Sequence, residues 1–255
     1  MFRCLYADTR NVFLSKGFRI GLGAIIVFQM LGLLFSGFIV TFVMKEALAA
    51  DDIAFIFPTV AAFLVTATTL HITENEFSDG CMRNKIISGV RRSDVFLSAI
   101  LGGMLQGVIY SILACITSIV IAVFFTGGFM TYSIPEIADY WLVITLACLT
   151  IGAFSNVLIL TLCGSKISYI IGLALAFVLR VADTHVLDKL YPSSGLCTLT
   201  GTKLAVYQFF DRFIPYAYLT TEPHYDMASY VLGCGGFILI STITGLLIFE
   251  KKELK

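Results

Sequence analysis

Charge is scarce in this chain. Only 13% of its 255 residues are Asp, Glu, Lys or Arg, while 58% are apolar and the mean hydropathy is +0.92. A core in water could not hide that much apolar surface, so the composition excludes a soluble protein and marks an integral membrane one. Acidic and basic residues balance at 17 each, so net charge points to no partner and gives no reason to expect nucleic acid. Histidine is sparse, and His71, His185 and His224 are scattered without metal-ligand spacing. The seven cysteines (Cys4, Cys81, Cys115, Cys148, Cys163, Cys197, Cys234) form no CxxC pair. Four lie in apolar runs, where Cys is a small hydrophobe, and only Cys197 is expected outside, so no disulfide framework is implied. There is no Asn-x-Ser/Thr, no GxxxxGK[ST], no HExxH and no GxSxG. GLG at 21–23 and GCGG at 233–236 sit within apolar runs and lack the strand–Gly–helix setting of a dinucleotide site. The expectation is therefore no catalytic residue, no metal, and no cofactor bound by this chain.

What is present is a series of long apolar runs, which predicts an all-α integral membrane protein, one domain over 1–255 with six transmembrane helices. The runs are 18–44, 53–72, 95–125, 140–163, 167–181 and 227–249. Residues 1–17 carry Leu5, Val12 and Phe13 among basic residues, followed by Phe18. They read as an amphipathic interfacial helix, with a frayed tail as the alternative. ALAA at 47–50 resembles a signal-peptidase site, but the run before it is too long for a signal peptide and reads as a retained span. GMLQG at 103–107 fits a small-xxx-small helix contact, and Tyr140 and Trp141 read as interface anchors. With both ends in the cytosol, twelve Lys/Arg fall in cytosolic segments and five outside, which predicts an N-in/C-in topology.

Residues 74–94 (ENEFSDGCMRNKIISGVRRSD) interrupt the apolar runs with eight charged side chains, so they must sit in water at one membrane face. Met82, Ile86, Ile87 and Val90 give an apolar side, and Gly80 and Gly89 bracket a short amphipathic helix. Ion-coupled carriers keep ionisable residues near mid-membrane. Here the mid-span polar residues are Gln29, Gln106, Asn156 and several Ser/Thr, which either bond between helices or line a path. The external segment 182–226 contains TKLAVYQFFDRF, with Thr202 as N-cap, Leu204, Val206, Phe209, Phe210 and Phe213 apolar, and Pro215 as a stop. It reads as one or two short helices dipping into the outer leaflet, or as a loop with an interfacial helix. Phe209, Phe210 and Phe213 are candidates for an external gate.

The order of these features resembles the permease subunit of an ABC-2 type ABC transporter across essentially the whole chain. The pieces are RNVFLSKGFRIGL at the start, EFSDGCMRNKIISGVRRSDVFLSAIL, the structured segment before the last run, and the FEKKELK ending. The resemblance implies a cytosolic coupling helix between spans two and three that docks on a separate ATPase subunit, with Glu76, Gly80, Arg83, Asn84, Lys85, Gly89, Arg91 and Arg92 as the contact region. It also implies ATP and Mg on two copies of that partner, a second permease chain, same or related, and a bacterial-type cytoplasmic membrane. The function implied is ATP-driven export of a peptide, drug or other amphipathic substrate. The rival classes are an ion-coupled carrier and a non-energised channel or membrane scaffold.

Overall fold

The computed structural model describes residues 2–45, 48–192, 199–219 and 224–252, and no strand occurs among them. Ten α-helices follow in order: α1 (Phe2–Leu14), α2 (Lys16–Phe38), α3 (Asp51–Ala54), α4 (Pro58–Ser78), α5 (Cys81–Ile87), α6 (Arg92–Phe125), α7 (Ile134–Thr161), α8 (Ile167–Leu190), α9 (Gly201–Phe213) and α10 (Met227–Lys251). A π-helical stretch, Ile39–Met44, extends α2, and a 3-10 turn, Ala217–Leu219, follows α9. Among the described residues, five helices are long and apolar enough to cross a membrane: α2 with its π extension, α6, α7, α8 and α10. The chain is a multi-pass membrane protein.

The sixth expected span, 53–72, falls on a helix of another kind. Pro58 opens α4 at its first turn, where the missing N–H costs nothing, and α3 stands before it as a separate turn. α4 is not among the five helices apolar enough to span on composition. Thr66, Thr69, Leu70 and Thr73 on it are buried, and it packs against α7, α8, α2 and α6. Packed on other helices, α4 makes polar contacts to them: Thr73 Oγ1 donates to Asn156 Oδ1 at 2.6 Å and Thr66 Oγ1 accepts from Ser155 Oγ at 3.3 Å, while the buried Thr69 hydroxyl has no partner among the described residues.

α7 is the axis of the bundle. Of its apolar stretch 67% is buried in the protein, against 11% for α2 and 17% for α10, which present Leu34, Phe35, Leu232 and Ile240 outward. Between helices in lipid there is no hydrophobic gain to drive association, so close packing and polar contacts decide it. The GMLQG segment supplies the packing. A Cβ on Gly107 would run into the Cys148 carbonyl, and Gly103 and Gly152 face each other's backbones with equally little room. α6 and α7 therefore meet backbone to backbone at the predicted small residues.

Two boundaries differ from expectation. Ser133 and Glu136 form a capping box that starts α7 at Ile134, so Tyr140 and Trp141 lie inside the helix. They are 9% and 5% exposed and pack on Phe55 and Phe57, as core residues rather than interface anchors. α8 runs to Leu190, nine residues past the expected end, and brings the fully buried Asp183 into the helix one turn beyond Arg180.

Candidate functional site

The charged stretch 74–94 resolves into the end of α4, the short helix α5 between two glycine turns, and the start of α6. α4 carries Glu74 and Glu76 on its last turns and stops at Ser78. Gly80 (φ 69°) and Gly89 (φ 89°) take left-handed backbone on either side of α5, which a Cβ would strain. α6 then begins at Arg92 and continues without a break into the bundle. Met82, 1% exposed, anchors α5 in an apolar cluster with Val95, Phe96, Leu160 and Phe249.

Lys85 fastens this element to the start of the chain. Its Nζ donates to Asp8 Oδ1 and, at 2.9 Å, to Glu76 Oε2. Asn11 Nδ2 donates to Glu76 Oε1 at 3.4 Å. The side chains are only 14% (Lys85), 3% (Asp8) and 11% (Glu76) exposed, so α1, α4 and α5 are held by a nearly dry ion cluster. Burial works against the Lys85 charge, and the carboxylates of Glu76 and Asp8 more than offset it, holding its pKa above the ordinary lysine value. Burial pushes the Glu76 carboxyl up, Lys85 opposes this, and the Asp8 charge adds to it. Two carboxylates share one ammonium, so the cluster carries an excess negative charge.

A second clamp closes the same end of the bundle. One Arg92 guanidinium nitrogen donates to the carbonyls of Glu250 (3.2 Å) and Lys252 (2.7 Å), the last turn of α10. Lys252 Nζ donates to the carbonyl of Thr161, the last residue of α7. Such cationic contacts satisfy carbonyls that a helix C-terminus leaves without intrahelical donors.

The eight expected contact residues thus divide. Arg83, Asn84, Gly89 and Arg91 are exposed, and Gly80 is half-buried. Glu76, Lys85 and Arg92 are turned into the protein, where they hold the element instead of presenting it. The expectation that Lys85 and Arg92 face water is corrected: each has acceptors from distant helices that outcompete solvent. Asp8 was the residue hidden from sequence reasoning. Cys4, Asp8 and Val12 are all buried at i, i+4 spacing, so the carboxylate sits on the packed face of α1, and that spacing was the available signal.

The polar span residues are interhelical ties. Gln29 Nε2 donates to the Ala114 carbonyl (3.0 Å) and Ser118 Oγ (2.8 Å), and Thr117 donates to its Oε1. Gln106 Nε2 donates to Thr68 Oγ1 at 2.7 Å. Asn156 receives from Thr73 at 2.6 Å and donates to the Ala99 carbonyl. These bonds join α2 to α6, α6 to α4, and α7 to α4 and α6.

At the other end, α9 begins at Gly201, with Thr200 rather than Thr202 as its N-cap. Phe209 is exposed and its ring lies 5.1 Å from that of Phe213. Phe210 packs on the main apolar cluster, so the three phenylalanines do not share one face. Asp211 beside them is 4% exposed and accepts from the hydroxyls of Tyr225 (2.7 Å) and Tyr191 (3.4 Å). Cys197 lies outside the described residues. No protein-family model matches the chain, and no curated protein matches it.

Proposed function

We propose that this chain is the membrane-spanning permease subunit of an ATP-driven exporter of the ABC-2 type, with α5 as the lever on which a separate ATPase subunit acts. The single observation that carries the reading is the mounting of α5. It is a seven-residue helix outside the apolar runs, pinned to α1 and α4 through Lys85 and leading within five residues into the 34-residue α6. A push on its exposed Arg83, Asn84 and Arg91 would pass to α6 with little compliance, and α6 is seated backbone to backbone on α7. The spans would then repack between two states.

In this reading α4 is the second of six spans and both chain ends are cytosolic. The permease pairs with a second copy or a related chain in a bacterial-type cytoplasmic membrane, and two ATPase subunits supply ATP and Mg. The substrate is an amphipathic peptide or drug, and the exposed side of α9 with Phe209 borders its exit.

The test uses charge and stiffness separately. Arg83→Glu with Arg91→Glu should cut co-purification of the ATPase, since each exposed pair contributes only about 0–1 kcal/mol and reversal adds repulsion. Several flexible residues inserted after Gly89 should leave the ATPase bound and abolish ATP-dependent export. If both variants assemble and export like the parent, the reading fails. An ion-coupled carrier is favoured by one observation, the buried Asp183 on a spanning helix. Transport that survives without ATP and stops when the proton gradient is collapsed would select it.

A further inference from the structure

We infer that the end of the bundle opposite α5 holds a binding site for a small organic ammonium ion. A cavity of about 240 Å³ opens there between the start of α7 and the start of α10. Four of its lining residues are tyrosines (Tyr132, Tyr140, Tyr225, Tyr230), and Met227, Glu136 and Asp139 complete it. It holds two carboxylates and no basic side chain.

The rings are fixed before any ligand arrives. Phe55 packs at 4.1 Å on Tyr140 and at 5.7 Å, edge to face, on Tyr132. Across the cavity Tyr225 and Tyr230 are edge to face at 6.1 Å. The Tyr225 hydroxyl is tied to Asp211, and the Tyr230 oxygen accepts the backbone N–H groups of His224 (2.9 Å) and Tyr225 (3.2 Å). Rings anchored through their hydroxyls have little rotational freedom left to lose on binding, which is the condition for a preorganised site. The Tyr225 ring already accepts a cation, the Arg212 guanidinium, 5.7 Å from its centroid.

Charge decides the sign of the ligand. The N-terminus of α7 contributes roughly half a positive charge. Glu136 offsets it while capping through Ser133, and Asp139 adds a further full negative charge. Asp211 and Arg212, both on the far side at Tyr225, carry opposite charges and cancel, so the balance favours a cation. A hard metal ion is a poor fit, because Ca²⁺ takes about 6–8 oxygen ligands and phenol rings replace few of a metal's waters. No cluster of three or more His, Cys, Asp or Glu able to hold a metal occurs among the described residues. An alkylammonium is weakly hydrated, fits the volume and uses both ring faces and carboxylates.

The inference concerns binding by this chain alone and does not rest on the exporter reading. The probe is choline, compared with 3,3-dimethylbutan-1-ol, its uncharged carbon isostere, on the purified full chain in lipid nanodiscs at low ionic strength. Saturable binding is read by saturation-transfer NMR. Choline should bind and the isostere should not. Tyr132→Leu should weaken choline about tenfold, a size within reach of one desolvated cation–ring contact, while Tyr132→Phe should change it by less than about twofold. Asp139→Asn, at an exposed position where folding is not at stake, should weaken it by about three- to tenfold. Equal binding of choline and isostere, no saturable choline binding, or choline binding unchanged in both Tyr132→Leu and Asp139→Asn overturns the assignment.

Discussion

Two buried carboxylate clusters at opposite ends of the bundle are held in different ways, although the α9 end also has an ion pair, Arg180 with the buried Asp183 at 3.8 Å. At the α5 end, Asp8 and Glu76 meet a full counter-charge, and the three residues come from three helices. At the α9 end, Asp211 is nearly as buried but is met by the hydroxyls of Tyr191 and Tyr225. An ion cluster locks position firmly and fails sharply when its one cation is lost. A carboxylate among phenols fixes the rings that donate to it but has no single cation to lose, so removing any one partner costs less. This contrast fits the force-transmitting role proposed for α5 at one end and the ligand site inferred at the other.

The largest effect should come from Lys85→Met. It leaves two carboxylates buried with no cation, a situation that costs about 3–5 kcal/mol when a buried pair is broken from one side. The thermal midpoint of the purified protein should fall, and trypsin should gain access at Arg10 as α1 leaves its seat. Adding Asp8→Asn and Glu76→Gln to Lys85→Met should restore most of the loss, because the buried charge is then gone. A Lys85→Met protein with the parent's midpoint and proteolysis pattern would remove the distinction between the two ends.

A middle-sized effect is expected at the other end. Asp211→Ala strips the Tyr225 hydroxyl of its acceptor and should cost about 1–3 kcal/mol. Asp211→Asn keeps a carbonyl oxygen in place and should cost less than Asp211→Ala in the same thermal unfolding measurement. Were Asp211→Ala to match Lys85→Met in cost, the phenol cluster would be holding as firmly as the ion cluster, and the comparison would collapse.

The same contrast explains what could be read from the chain. Apolar runs follow from composition, so the helices that face lipid were legible to within a turn or two at most boundaries. The break points Gly80 and Gly89 were legible because left-handed backbone selects glycine, and the α6–α7 contact because Gly103 and Gly107, four apart in GMLQG, put no side chain on that face. α4 was read as one span among six equals, since pattern alone does not distinguish lipid from protein as surroundings. Tyr140 and Trp141 were misplaced for a related reason: an aromatic with a polar tip suits an interface and a satisfied core alike. The pairings Asp8 with Lys85 and Asp211 with Tyr225 join residues 77 and 14 positions apart. No local spacing rule reaches the first. The second spans a turn whose geometry the residues do not announce.

The smallest effect sharpens the comparison most. Because two carboxylates share one ammonium, removing one negative charge should be nearly free where removing the cation is not. Glu76→Gln keeps an oxygen for Lys85 Nζ and leaves the Asp8–Lys85 pair neutral, so at pH 7 its thermal midpoint should equal the parent's or exceed it slightly. The sign with pH follows from the raised Glu76 pKa. An acid whose pKa is higher folded than unfolded binds its proton more tightly in the folded state. Its ionisation is therefore a penalty present above the folded pKa, relieved as pH falls from there toward the ordinary value of 4.5. The parent protein should gain on Glu76→Gln over that window, and the two midpoints should converge as the carboxyl protonates. Lys85 stays charged throughout, since its pKa lies above the ordinary lysine value and its contribution is lost only on the alkaline side. A Glu76→Gln protein markedly less stable than the parent at pH 7, with a gap that does not narrow on acidification, would mean that both carboxylates are needed. The cluster would then be a balanced three-way clamp instead of one cation shared by two competing anions.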